Sequence, residues 1–154
     1  MHGWLPTGHM WHYITSINQC PGCECKDETI LHLFRCPNPQ MQKKRVEIIQ
    51  QFQKKGLKKK VPRDVMEAFC HVIRVECKGE DNFEKRSFGP VIKNAIRQQQ
   101  DIGIHLMLRD FLAQGWMTAI SAAGSSHPER RMNTLQHMIW DTIMDPLWQE
   151  RNTI

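Results

Sequence analysis

Apolar side chains recur at helical spacing along most of this chain, and the alternation typical of strands is weak throughout. One apolar stripe begins at Met41 and runs to about Lys55, and Gly56 follows it as the expected C-terminal stop. A second stripe follows Asp64, a residue type that favours the helix N-cap, and runs to near Glu76. Both segments are therefore predicted to be amphipathic helices.

The C-terminal half continues the helical pattern after a polar stretch at 78–89, which is predicted to be a loop. Pro90 stands where a first helical residue is expected. Further helices are predicted at about 104–113 and 129–149, and Pro146 is expected to kink or divide the last one. The apolar stripe of that last helix consists of Met132, Leu135, Ile139, Ile143 and Leu147.

Four of the six cysteines lie between residues 20 and 36, together with one histidine. Cys20 and Cys23 flank a Pro-Gly pair that favours a tight turn, which brings two thiolates within reach of one ion. The Asp-Glu-Thr run at 27–29 is typical of a helix start, so His32 and Cys36 would project from one helical face. The pattern C-x2-C-x8-H-x3-C predicts a closed tetrahedral Cys3His site, which suits Zn²⁺.

Three alternatives stay open at this point. Cys25 could replace Cys23 as a ligand, although the two-residue spacing favours Cys23. A disulfide framework would require an oxidising compartment, and a nucleophilic Cys–His pair would leave the other thiols unexplained. Cys70 and Cys77 lie on a predicted apolar helix, where buried free thiols are expected.

The predicted architecture is mostly α: a small zinc knuckle made of a turn and a short helix, then a basic helix, then a loosely packed C-terminal helical bundle. The corresponding segments are 1–40 for the zinc-binding region, 41–77 for the basic and amphipathic helices, 78–89 for the loop, and 90–154 for the C-terminal helices. Trp4, Trp11 and Tyr13 are expected to pack near the knuckle.

The positive charge is concentrated in one segment. Of the net charge of +5, residues 41–63 carry +8, from nine basic residues against one acidic residue, so the remainder of the chain carries −3. Such a run beside a rigid metal site predicts a surface that attracts phosphate groups. The candidate nucleic-acid-binding residues are Arg35, Lys43, Lys44, Arg45, Lys54, Lys55, Lys58, Lys59, Lys60 and Arg63.

The motif residues resemble a known family. CPGC at 20–23, Glu-Thr at 28–29 and the His-x-x-x-Cys ending at 36 are similar to the zinc-binding region at the C-terminal side of non-LTR retrotransposon reverse transcriptases. WLPTG at 4–8 resembles the segment that stands ahead of the first cysteine in that family. The likeness is strong over 4–38 and absent from the basic middle of the chain. Weaker likenesses occur in IRQQQDIG at 96–103, QGW at 114–116, IW at 139–140 and LWQERN at 147–152.

The resemblance implies a role in holding template RNA or target DNA, with a polymerase or another retroelement protein as a further candidate partner. The chain contains no Asp-Asp pair, whereas polymerisation requires clustered carboxylates that bind two metal ions. We therefore expect no enzymatic activity, and we expect the chain to correspond to the C-terminal piece of a longer ancestor.

The leading hypothesis is a zinc-dependent nucleic-acid-binding module, and the alternative is a zinc-stabilised helical scaffold for protein interactions. RNA and DNA are equally compatible with the charge pattern. No apolar run reaches the roughly 18 residues of a membrane span, and no secretory signal pattern is present at the first residues. The expected location is intracellular, in the nucleus or cytoplasm, without membrane association.

Overall fold

The computed structural model describes residues 19–26, 28–79 and 87–154. Within these ranges the protein is mostly helical and contains no strand, which confirms the predicted fold class. The predicted packing of Trp4, Trp11 and Tyr13 lies outside the described residues. No helix within the described ranges is both long and apolar enough to cross a membrane.

The helices follow one another with short connections. Their bounds are α1 Ile30–Arg35, α2 Pro39–Lys58, α3 Arg63–Lys78, α4 Pro90–Ile102, α5 Ile104–Met107, α6 Gln114–Ala122, α7 Pro128–Met138, a π-helical segment Ile139–Met144, and α8 Asp145–Thr153. Helix α2 packs against α3, and it also packs against the π-helical segment and α8. One cluster of buried apolar residues extends from Cys20 to Leu147, so all these helices share a core.

Helix α2 begins earlier and ends later than its apolar stripe predicted. Asn38 caps its N-terminus by accepting hydrogen bonds from the backbone N–H groups of Gln40 and Met41, and Pro39 occupies the first turn. Gly56 was expected to end this helix, and that prediction is wrong. It lies buried inside the helix, where an added Cβ would come within 2.4 Å of the Met66 sulfur, so its role is to let α3 approach closely.

The C-terminal helices pack more closely than the loose bundle that the sequence suggested. Leu135, Ile139, Ile143 and Leu147 from the predicted stripe are all almost fully buried. The helix expected at 104–113 is reduced to the single turn α5. The last helix was expected to be kinked or divided at Pro146, but its backbone stays helical from Pro128 to Thr153. Pro146 has no backbone N–H to donate to the preceding turn, and a π-helical segment stands directly before α8, in which it is the second residue.

Two glutamines of α4 form hydrogen bonds with the start of α6. Gln99 is fully buried, and its side-chain oxygen accepts hydrogen bonds from the Ala113 backbone N–H at 2.8 Å and the Trp116 indole N–H at 3.1 Å. Gln98 accepts from the Gly115 backbone N–H at 2.7 Å. The segments 96–103 and 114–116, noted separately in the sequence, thus form one hydrogen-bonded unit.

Gly115 sits where α4 and α6 come closest. A Cβ at this position would lie 2.7 Å from the Ala95 Cα, and this neighbour is backbone that cannot rotate away. We expect Gly115→Ala to reduce the free energy of unfolding by about 1–3 kcal/mol, the usual cost of overpacking, despite alanine's higher helix propensity. Urea denaturation measures the change.

The matched control is Gly56→Ala, which is also inside a helix but faces the flexible Met66 side chain. Its loss of unfolding free energy should be smaller than that of Gly115→Ala. A Gly115→Ala protein that is more stable than the wild type would contradict the close approach of the two helices.

Candidate metal centre and basic surface

A turn and a short helix bring four donor side chains to one point. Cys20 and Cys23 lie on the turn, which is closed by hydrogen bonds from the Cys20 N–H to the Cys25 carbonyl at 2.9 Å and from the Glu24 N–H to the Cys20 carbonyl at 2.8 Å. His32 lies in α1 and Cys36 directly follows it. The Thr29 hydroxyl caps α1 by accepting from the His32 backbone N–H at 3.2 Å.

The donor atoms of Cys20, Cys23, His32 and Cys36, called here the Cys–His cluster, all lie within 4.8 Å of one another. The Cys20 and Cys36 sulfurs are 3.7 Å apart, and the Cys23 sulfur is 3.3 Å from His32 Nε2. In a tetrahedral site with metal–sulfur bonds of about 2.3 Å, neighbouring donors lie about 3.8 Å apart. The four side chains could therefore hold one metal ion.

Cys25 does not join this cluster. Its side chain is exposed, and its sulfur donates to the Lys26 carbonyl at 3.3 Å. All six cysteines are free thiols, and Cys70 is buried while Cys77 is half-buried, as expected for α3. Burial raises the pKa of the Cys70 and Cys77 thiols to about 11, so both are protonated and unreactive near neutral pH.

Burial also controls the protonation of the cluster. It raises the pKa of Cys20 to about 12 and raises the pKa of Cys36, while it lowers the pKa of His32 and so favours the neutral imidazole that a metal requires. A bound cation would reverse the shift of the thiols, because its positive charge stabilises thiolates. Protons and metal therefore compete for the same sulfur atoms.

The Glu-Thr pair of the motif has two different structural roles. Thr29 caps α1, whereas the fully buried carboxylate of Glu28 accepts two hydrogen bonds from the Arg151 guanidinium, at 2.9 Å and 2.5 Å. Arg151 in turn lies over the Trp148 ring, 5.0 Å from its centroid. The segment LWQERN at the end of the chain thus contacts the Cys–His cluster region through its arginine.

The structure divides the ten predicted nucleic-acid-binding residues into three groups. Arg45 is only 6% exposed and donates to the carbonyl oxygens of Leu33 and Cys36, at 3.1 and 2.6 Å. These are carbonyls at the end of α1 that lack helical partners, so Arg45 closes that helix terminus. We therefore correct its predicted role, because a guanidinium buried against carbonyl groups presents no face to a phosphate.

Other members of the predicted set have partners within the protein but keep some exposure. Arg35 forms an ion pair with Glu76 at 2.9 Å. Lys44 lies 3.7 Å from Glu47 and 3.8 Å from Glu150, and Lys55 donates to the Thr142 hydroxyl. The remaining six cations of the set are exposed: Lys43, Lys54, Lys58, Lys59, Lys60 and Arg63.

The lysines near the end of α2 line a groove that sequence reasoning did not anticipate. Lys54, Lys55 and Lys58 face the π-helical segment and α8 across a space of about 370 Å³, with Asp141 on the far side. At the C-terminal end of α2, the Arg131 side chain of α7 donates a hydrogen bond to the Lys59 carbonyl at 3.1 Å. A further cationic side chain therefore lies in the same region. No sequence signal links residues 59 and 131, since the contact depends on the packing of α7.

Comparisons of the chain with protein-family models, with curated proteins and with solved structures give no match. The class that fold and site define is therefore a mostly helical protein with a Cys3His cluster that could hold a metal ion.

The Glu28–Arg151 ion pair generates a prediction. Removing one partner of a buried pair leaves an uncompensated charge, so Arg151→Met and Glu28→Gln should each lower the free energy of unfolding by about 3–5 kcal/mol. The double variant should lose less unfolding free energy than the sum of the two single variants, as measured by a double-mutant cycle in urea.

Lys44→Met, which removes a partly exposed pair with Glu150, is the control and should change the free energy of unfolding by about 1 kcal/mol or less. Additive losses in the cycle would contradict a direct interaction.

Proposed function

We propose that this protein is a zinc-stabilised nucleic-acid-binding module. The observation that carries the proposal is the row of exposed cations along α2, from Lys43 near the Cys–His cluster to Lys58 at the far end of the helix. Three thiolates and one imidazole form a closed donor set, and this set is typical of structural Zn²⁺ sites. Oxygen-preferring ions such as Mg²⁺ and Ca²⁺ do not suit such ligands.

Zinc would contribute to stability by joining the turn at Cys20–Cys23 to the end of α1 at Cys36. Metal binding requires the folded arrangement of the four ligands, so binding free energy becomes folding free energy. Cys20 and Cys36 are buried and belong to the apolar core as well as to the Cys–His cluster. They therefore connect the Cys–His cluster directly to the core. No step of a reaction is assigned to the ion, and the module is proposed to be non-enzymatic.

Nucleic acid would bind on the exposed side of α2 and its C-terminal end. Lys54 and Lys58 lie on one flank of the helix, and Lys59, Lys60 and Arg63 continue the positive surface around its end. None of these five side chains has an ion-pair partner among the described residues, so each is available to a phosphate. Release of counterions from phosphates would then supply most of the binding free energy.

We also propose kinship with the zinc-binding region of non-LTR retrotransposon reverse transcriptases. Support comes from the contacts between the motif segments: Glu28 with Arg151, and Gln98 and Gln99 with the segment 113–116. Residues that contact one another in the folded protein are expected to occur together in the members of one family. The retroelement origin and the choice between RNA and DNA belong to this proposal.

Metal content tests the zinc part of the proposal. We expect about one zinc ion per chain by elemental analysis, and we expect chelation to unfold α1 and lower the thermal midpoint. Cys20→Ser should lose the metal, whereas the matched control Cys25→Ser should keep it, because the Cys25 side chain points away from the cluster. Equal loss of metal in both variants would contradict the ligand assignment.

Salt-dependent binding tests the nucleic-acid part. If five cations contact phosphates of duplex DNA, the logarithm of the association constant should fall with the logarithm of salt concentration with a slope of about −4.5, and about −3.5 for a single strand. Fluorescence anisotropy with labelled RNA and DNA oligonucleotides measures both slopes.

Variants then locate the surface. Reversing the charges of Lys58, Lys59 and Lys60 to glutamate should abolish binding at moderate salt while zinc content is kept. Lys93→Glu on α4 is a single-site control, and reversal of one exposed charge away from α2 should alter affinity little. Absence of salt-sensitive binding by the zinc-loaded protein would overturn the proposal. Persistent binding of a protein partner after the charge reversal would instead favour the scaffold function.

A further inference from the structure

A second groove lies on the opposite flank of α2 from the lysine groove. It has a volume of about 650 Å³ and runs between α2, the end of α3 and the segment that follows α1. This volume is within the range of sites that hold a small ligand or a short peptide segment. The proposed nucleic-acid surface does not include this groove.

The floor of the groove is apolar and aliphatic. Val46 of α2 is 60% exposed, the most exposed large hydrophobic residue among those described, and the buried Ile49 lies one helical turn further along the same face. Pro37 and the half-buried Cys77 complete the apolar lining. Covering Val46 with an apolar group of a partner would remove apolar surface from water, which is favourable.

The rim of the groove is positive. Arg35, Arg74 and Lys78 line it together with the buried Arg45 and neutral residues, and none of the described residues in the lining is acidic. Arg74 and Lys78 have no ion-pair or hydrogen-bond partner within the described ranges. Arg35 is held by Glu76 through one terminal nitrogen and through its Nε atom, so its guanidinium is fixed in place with the other terminal nitrogen uncommitted.

These features select an occupant by charge and shape. Arginine guanidinium groups suit carboxylates because they can form two parallel hydrogen bonds. A nucleobase commonly stacks on an aromatic ring, and no such ring is among the described residues that line the groove. An aliphatic floor between cationic edges matches a peptide with an apolar centre and acidic flanks, which is a common mode of peptide recognition in a groove between helices.

We propose that this groove, lined by Arg35, Val46, Ile49, Arg74, Cys77 and Lys78, is a docking site for an acidic segment of a partner protein that carries an aliphatic anchor. The site goes beyond the nucleic-acid surface and is independent of it. The anchor covers Val46 and Ile49, and the flanking carboxylates pair with Arg74 and Lys78. Both surfaces can be occupied at the same time, since they lie on opposite flanks of α2.

The test uses a fluorescein-labelled synthetic peptide, Glu-Glu-Leu-Leu-Glu-Glu, titrated with the full zinc-loaded chain and followed by anisotropy. Two control peptides separate the contributions: Gln-Gln-Leu-Leu-Gln-Gln removes the charge, and Glu-Glu-Ser-Ser-Glu-Glu removes the anchor. We expect each control to bind at least about tenfold more weakly than the parent peptide, which corresponds to about 1.4 kcal/mol. This comparison uses the wild-type protein, so it does not depend on the folding of any variant.

Protein variants then place the peptide. Arg74→Glu and Val46→Ser should each weaken binding of the parent peptide by about tenfold. Arg97→Glu makes the same charge change at an exposed site on α4, outside the groove, and should leave binding unchanged. Lys58→Glu should likewise leave peptide binding unchanged while weakening oligonucleotide binding, so failure of this site and failure of the proposed function are distinguishable.

Several results would overturn the docking site. One is absence of peptide binding, and a second is equal binding of the parent and both control peptides. A third is loss of peptide binding in Lys58→Glu but not in Arg74→Glu, which would show that the peptide occupies the lysine surface. Displacement of the peptide by an unlabelled oligonucleotide whose own affinity depends on Arg74 would assign the groove to nucleic acid instead.

Discussion

A buried ion pair between Glu28 and Arg151, 123 residues apart, holds the two ends of the described structure together. Its carboxylate is fully buried, so the Arg151 guanidinium offsets the cost of burying that charge. Arg151 belongs to α8, and Thr29, next to Glu28, caps α1. The Cys–His cluster, the cap of α1 and the docking of the last helix are therefore close together in one small region.

Arg45 shows that a cation in a basic segment can serve the fold alone. It closes the end of α1 by binding the carbonyls of Leu33 and Cys36, and this contact positions the last ligand of the cluster. Lys58, Lys59 and Lys60 at the end of α2 have no such role, because they are exposed. Burial thus divides a uniformly basic stretch into a structural part and a part available to phosphates.

The two grooves beside α2 lie on the two sides of its buried stripe. A helix that is buried along one stripe has two flanks, and the neighbours of each flank determine its chemistry. On one flank, Lys54, Lys55 and Lys58 face α8 across a polar space. On the other, Val46 and Ile49 form an apolar floor with Arg74 at the rim. The two flanks of one helix thus differ in their chemistry.

Local sequence was sufficient for the helical class, for Pro90 as a helix start, and for the four donors of the Cys–His cluster. The helical features depend on residues within about one or two helical turns, where spacing alone determines which side chains share a face. The cluster was recognisable because it consists of two closely spaced pairs, Cys20 with Cys23 and His32 with Cys36. The sequence also indicated that Cys23 rather than Cys25 joins the cluster, because the two-residue spacing suits a tight turn.

Only the tertiary structure decided the roles that depend on distant neighbours. Gly56 lies inside α2 with the Met66 side chain packed against it, and Gly115 permits contact with Ala95. Arg45 and Arg151 have structural partners that no local pattern reveals. Whether a charge faces solvent or a buried carbonyl depends on which helices pack beside it, and that packing is set by the whole core rather than by any one segment.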